Sequence, residues 1–108
     1  APASALREVR KKGVSVEILK NPHSITEVLE VLNKYSVKKL MVEGGPTLIS
    51  ALLNESVVDE ILIIGYPLLI GDLAQSLVND QLKMPICCQL IDSKLISGFT
   101  FRKFKIIK

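Results

Sequence analysis

The sequence predicts an α/β fold on a mixed sheet, mostly parallel, with a C-terminal antiparallel hairpin. Three observations predict it. Amphipathic helical stretches alternate with short apolar runs up to Pro67, the pattern of β-α-β units with right-handed crossovers. The run Leu40-Met41-Val42 is apolar on both faces, as a strand covered on both sides must be. Two long strand-like runs then flank Ser97-Gly98, a two-residue link of the kind that closes hairpins.

The elements follow in order. Ser4 to Lys12 reads as a short helix with Leu6 and Val9 on one side, and Gly13 stops it. In Val14 to Leu19, Val14, Val16 and Ile18 alternate with Ser15 and Glu17, which predicts a strand. Asn21-Pro22-His23 makes a turn, and Ser24-Ile25-Thr26-Glu27 fits a capping box: the Ser hydroxyl accepts from the third backbone N–H and Glu27 reaches back. Behind it Ile25, Val28, Leu29, Leu32 and Tyr35 form one apolar stripe, and Ser36 closes the helix. Lys39 to Glu43 is the second strand, broken by Gly44-Gly45. Pro46 suits a first helical turn, and the helix runs on to Asn54 with Leu48, Ile49, Leu52 and Leu53 inward. Ile61 to Tyr66 is a third apolar strand, ended by Pro67. Asp72 after Gly71 reads as a turn residue, and Leu73 to Met84 as a short helix or an irregular loop. Gln89 to Ile96 and Phe99 to Ile107 are the hairpin strands.

Composition narrows the function. With five aromatics and no Trp, the chain lacks stacking platforms for bases, and its net charge of +3 is dispersed, so no nucleic-acid partner is expected. That charge is either a solvated mixed surface or a mild attraction for a phosphorylated small molecule. Cys87 and Cys88 are adjacent, poorly placed for an ordinary disulfide and without CxxC spacing, so they read as reduced thiols. His23 is the only histidine, which leaves no histidine-rich metal site and no Ser-His-Asp or Cys-His constellation. No apolar run reaches the ~18–20 residues of a membrane span, and Ala1-Pro2-Ala3-Ser4 has no signal-peptide pattern. The expected location is the cytoplasm.

The segment that carries chemistry is Glu43-Gly44-Gly45-Pro46-Thr47. A helix N-terminus offers free N–H groups and the positive end of its dipole. Two glycines let a ligand approach the backbone without a Cβ in the way. Strand, glycine pair and helix start together suit a phosphate or diphosphate at the C-terminal end of a parallel strand. The same spacing also describes a tight strand-to-helix turn with no ligand, and it is neither a GxGxxG motif nor a Walker loop. Glu43 either accepts hydrogen bonds from the loop's own N–H groups or orients the loop against a cofactor. Asp59 and Glu60, adjacent on a strand, point to opposite faces and cannot share one substrate atom.

Met41-Val42-Glu43-Gly44-Gly45-Pro46-Thr47-Leu48, then Leu52-Leu53, Val57-Val58-Asp59-Glu60 and Pro67-Leu68-Leu69-Ile70-Gly71, resembles the riboflavin-biosynthesis pyrimidine reductase family. The resemblance implies a dihydrofolate-reductase-like fold with helices on both faces of the sheet, and a homodimer. It implies an oxidoreductase that uses NADPH to reduce the ribosylamino side chain of a pyrimidinone 5′-phosphate, by hydride transfer to the opened-ring imine carbon. By the same resemblance, Gly44, Gly45, Pro46, Thr47 and Leu48 contact the cofactor and Glu43 braces the loop. Leu19, at the end of the preceding strand, is a further cofactor contact, and the Gly44-Gly45 peptide is cis. No catalytic residue is assigned. Family members are about twice this length, so residues 1–108 are expected to be the C-terminal half of a single reductase domain, inactive alone, with the small-molecule substrate held by the other half. The rival reading is a non-catalytic nucleotide- or phosphate-binding module, or a dimerisation module.

Overall fold

Each of the three helices stops where a backbone turns left-handed. A computed structural model describes residues 2–71 and 74–108, so the turn expected at Asp72 lies outside the described residues. α1 (Ala3–Lys11), α2 (Ile25–Lys34) and α3 (Pro46–Asn54) end before Gly13, Ser36 and Ser56, whose φ values are 78°, 58° and 57°. At the end of α2 the N–H of Val37 donates to the Leu32 carbonyl at 3.3 Å, and at the end of α3 the N–H of Val57 donates to Leu52 at 3.5 Å. These are the wrap-around bonds that satisfy last-turn carbonyls. Glycine takes this conformation without steric cost, and the two serines do not.

The chain divides into two compact units, Ala1–Met41 and Val42–Lys108. The first holds α1 and α2. α1 is basic and has no buried residue, while the stripe Ile25, Val28, Leu29 and Leu32 on α2 is half-buried. The N-cap of α2 is Ser24, whose Oγ accepts from the Glu27 N–H at 3.2 Å. The expected reciprocal bond is replaced. The Glu27 carboxylate takes the N–H groups of Lys20 and Asn21, and the Ser24 N–H goes to the Asn21 carbonyl. A carboxylate has two acceptor oxygens, so reaching the preceding turn satisfies two donors where the box would satisfy one. Tyr35, off the end of α2, donates its hydroxyl to the Glu17 carboxylate at 2.7 Å.

The second unit holds α3 and a sheet of β1 (Glu60–Gly65), β2 (Cys88–Ile96) and β3 (Phe99–Ile106). The order is β1-β3-β2 and both pairings are antiparallel. Ser97 and Gly98 have φ values of 51° and 83°, the two positive angles a type I′ hairpin requires, so the expected hairpin is present. Ile91 is a bulge between the Leu90 and Asp92 pairings. Register places Ile61, Ile63, Leu90, Phe104 and Ile106 on one face, and Leu62, Ile64, Phe101 and Ile96 on the other. The first face is the better covered: along β1 half-buried residues alternate with exposed ones, and Ile106 is buried.

The α/β class stands, but the ladder carried by this chain is antiparallel, not mostly parallel. Val14–Leu19 and Lys39–Glu43 form no strand. A parallel strand is held only by neighbours along its edges. Among the described residues neither segment has such a neighbour, whereas β1 and β2 each pair with β3. Leu73 to Met84 reads as a short helix or an irregular loop, and over 74–84 the structure is a loop. No helix among the described residues is long and apolar enough to cross a membrane.

Candidate functional site

The loop before α3 is built as a helix entrance. Gly45 is the N-cap with φ −78° and ψ 178°, and Pro46 stands in the first turn, where its missing N–H costs nothing. The first intrahelical bond runs from the Ile49 N–H to the Gly45 carbonyl at 3.1 Å. The N–H groups of Thr47 and Leu48 precede it, and no side chain caps them. The dipole of α3 adds partial positive charge at the same end. All described peptide bonds are trans, including Gly44-Gly45, contrary to the cis expectation. The trans form is cheaper by about 3 kcal/mol, and the extended Gly45 already turns the chain into the helix.

The two glycines serve different ends. A Cβ on Gly44 would stand 2.7 Å from Leu48 Cδ2 and 3.1 Å from Leu48 Cβ, so Leu48 sits in the space the glycine leaves. A Cβ on Gly45 would meet nothing within 4 Å. Gly45 also has a backbone any residue can adopt, so nothing in the chain itself requires glycine there. The open approach in front of Gly45, the uncapped N–H groups and the helix dipole together fit a phosphate or diphosphate group.

Glu43, Gly44, Gly45, Pro46, Thr47 and Leu48 thus lie together in the second unit. Glu43, Gly45, Thr47 and Leu48 are exposed, and Gly44 and Pro46 half-buried. Among the described residues the Glu43 carboxylate takes no hydrogen bond from the loop's own N–H groups. Leu19 belongs to the first unit.

The sequence reading missed a polar seam behind the loop. Thr47, Ser50 and Asn54 lie on one face of α3, three and four residues apart. All three grip the segment 79–83. Asn79 donates its side-chain amide to Thr47 Oγ1 at 3.2 Å and its N–H to Ser50 Oγ at 3.0 Å. Asn54 donates to the Gln81 carbonyl at 2.7 Å and accepts from the Lys83 N–H at 3.0 Å. Ser50 is completely buried, which a hydroxyl tolerates because it is paired. The legible signal was a polar stripe at helical spacing on an otherwise apolar helix. A cleft of about 190 Å³ in this unit lies off the other end of α3, lined by Leu53, Ser56, Cys87 and Ile106. It contains none of the loop residues.

Comparison with known proteins bears on this geometry. The family model described as the RibD C-terminal domain matches residues 3–98. A solved structure of Acinetobacter baumannii RibD is similar with a TM-score of 0.79 at 24% identity, covering 94% of this chain and 29% of that one. A pyrimidine reductase-like protein from Corynebacterium diphtheriae is similar with a TM-score of 0.81 at 20% identity, covering 97% of this chain and 44% of that one. Both likenesses are of fold, and both are consistent with part of a dihydrofolate-reductase-like domain. The chain spans under half the length of either structure. Among curated proteins no sequence matches.

Proposed function

The chain belongs to the RibD C-terminal domain family, and we propose that it supplies the cofactor-phosphate part of an NADPH-dependent reductase acting on a ribosylamino-pyrimidinone 5′-phosphate in riboflavin biosynthesis. The observation that carries this is Gly45: a glycine that neither backbone nor packing demands, set before uncapped helix N–H groups. The family membership and the likeness to a pyrimidine reductase-like protein support the reductase class.

In this reading Gly44, Gly45 and Pro46 form the approach. The N–H groups of Thr47 and Leu48, with the Thr47 hydroxyl, hold the phosphate oxygens, and the α3 dipole favours their charge. The bound nicotinamide cofactor supplies the reducing equivalents. The chain's own residues contribute placement, and the surrounding protein contributes the substrate contacts. Glu43 orients the loop. The complete protein works as a homodimer.

Titration with NADPH, NADH and inorganic phosphate, followed by cofactor fluorescence and calorimetry, tests the reading. Saturable binding that favours NADPH over NADH is expected. Phosphate binding without nucleotide preference would replace it with the phosphate-module reading, and no binding to any of the three would refute both.

A further inference from the structure

We propose that Asn79 is a positioning residue for the phosphate loop, holding the Thr47 hydroxyl so that its proton points away from the protein and toward a bound phosphate oxygen. This rests on the reading of the α3 entrance as the cofactor-phosphate site.

The polarity of the contact follows from what each atom can do. The Gln81 N–H, at 3.0 Å from Asn79 Oδ1, can only donate. The amide oxygen of Asn79 is therefore committed to Gln81, and its NH2 group faces Thr47. An amide nitrogen can only donate, so Thr47 Oγ1 is the acceptor of the 3.2 Å bond. A hydroxyl carries one proton, and with a lone pair engaged by Asn79 that proton is directed elsewhere. Among the described residues the Thr47 hydroxyl donates no hydrogen bond, and its one partner is the Asn79 amide. Thr47 is exposed in the first turn of α3, beside the uncapped N–H groups. At Thr47 the entrance then turns a donor outward beside the uncapped N–H groups, which is what an anion requires.

Asn79 is itself held. Its backbone N–H is anchored on Ser50 Oγ, the one fully buried side chain of the seam, and its side-chain oxygen accepts from the Gln81 N–H, so the amide cannot swing away from Thr47 without losing the Gln81 bond. A sequence-distant loop thereby sets the direction of a hydroxyl at the helix entrance.

The test is a double-mutant cycle on the full chain, with NADPH affinity read by fluorescence and folding read by thermal melting. Asn79→Ala is expected to weaken NADPH about fivefold when Thr47 is present and less than about twofold in a Thr47→Val background, since coupled residues are not additive. Asn79→Asp keeps the acceptor for Gln81 and nearly the same shape, so it serves should Asn79→Ala melt below the assay temperature. Its carboxylate takes the Thr47 proton, and its loss is expected to exceed that of Asn79→Ala and to shrink when Thr47→Val is combined with it. Equal losses in both backgrounds, or wild-type affinity for Thr47→Val, would overturn the role of Asn79 while leaving the loop reading intact. A wild-type chain that binds no NADPH would remove the loop reading first, and this proposal with it.

Discussion

Gly44 and Gly45 are neighbours under different constraints, and substitution separates them. Valine at 44 would be driven into Leu48, whose Cβ is too near to move without shifting the helix. Gly44→Val should therefore lower the melting temperature, by the equivalent of about 1–3 kcal/mol for an overpacked site. A Cβ on Gly45 meets nothing within 4 Å and the backbone is one any residue adopts, so Gly45→Val should cost only valine's poorer fit to an N-cap, about 0.5–1 kcal/mol, seen as a small drop in melting temperature. Its methyls stand in the approach to the helix N–H groups, and NADPH should bind about tenfold more weakly or worse. Unchanged affinity in folded Gly45→Val protein would count against the loop as the phosphate site.

Tyr35 offers a second residue-scale test. Its hydroxyl donates to Glu17, and this hydrogen bond first, then the carboxylate's charge and slight burial, raises the phenol above its ordinary value of 10.0. The neutral phenol is the form that donates. The bond's contribution is thus complete below the unfolded value near 10.0 and is lost as pH rises through the higher folded one. The chain has two tyrosines, so ultraviolet titration of a Tyr66→Phe variant reports Tyr35 alone. Glu17→Gln should bring its midpoint down, and a midpoint insensitive to Glu17→Gln would contradict the assignment.

At the scale of elements, α3 is tied to a loop rather than merely packed. Ser50→Ala would leave the Asn79 N–H without its acceptor in a buried site, at a cost of about 1–3 kcal/mol, visible as a lower denaturation midpoint. A neutral Ser50→Ala would mean that water replaces the hydroxyl. The left-handed helix ends predict a gain in the other direction. Ser56, at φ 57°, adopts a conformation that costs a non-glycine residue about 1 kcal/mol, so Ser56→Gly should stabilise by a comparable amount in chemical denaturation. Helices, the hairpin and the helix entrance were legible because their signals are local: Pro46 at a first turn, Ser24 at a cap, Ser97-Gly98 with two positive φ angles. The Asn79 contact was not legible, because it joins residues 32 apart and no local rule connects them.

At the scale of the molecule, the sheet of the second unit is thinly covered. Leu53 and Ile106 are the buried apolar residues among those described, while Leu62, Leu90 and Leu95 are 59%, 50% and 75% exposed. β1 and β2 each pair on one side only, leaving two edges whose N–H and C=O groups invite another strand. The chain studied by itself should self-associate and bind a hydrophobic dye at micromolar concentration. Sedimentation velocity showing a monomer at every concentration, with no dye bound, would argue against it.

The amino-acid order alone determined which stretches become helices, where the hairpin turns, and that Gly44-Gly45-Pro46 opens α3, since each depends on residues a few positions apart. Only the tertiary structure decided the rest. It left Val14–Leu19 and Lys39–Glu43 outside the sheet, aligned β1, β3 and β2 in antiparallel register, and brought Asn79 to Thr47. Ladder partners and long-range hydrogen bonds are properties of which segments meet in space, and periodicity along a single segment carries no record of its neighbours.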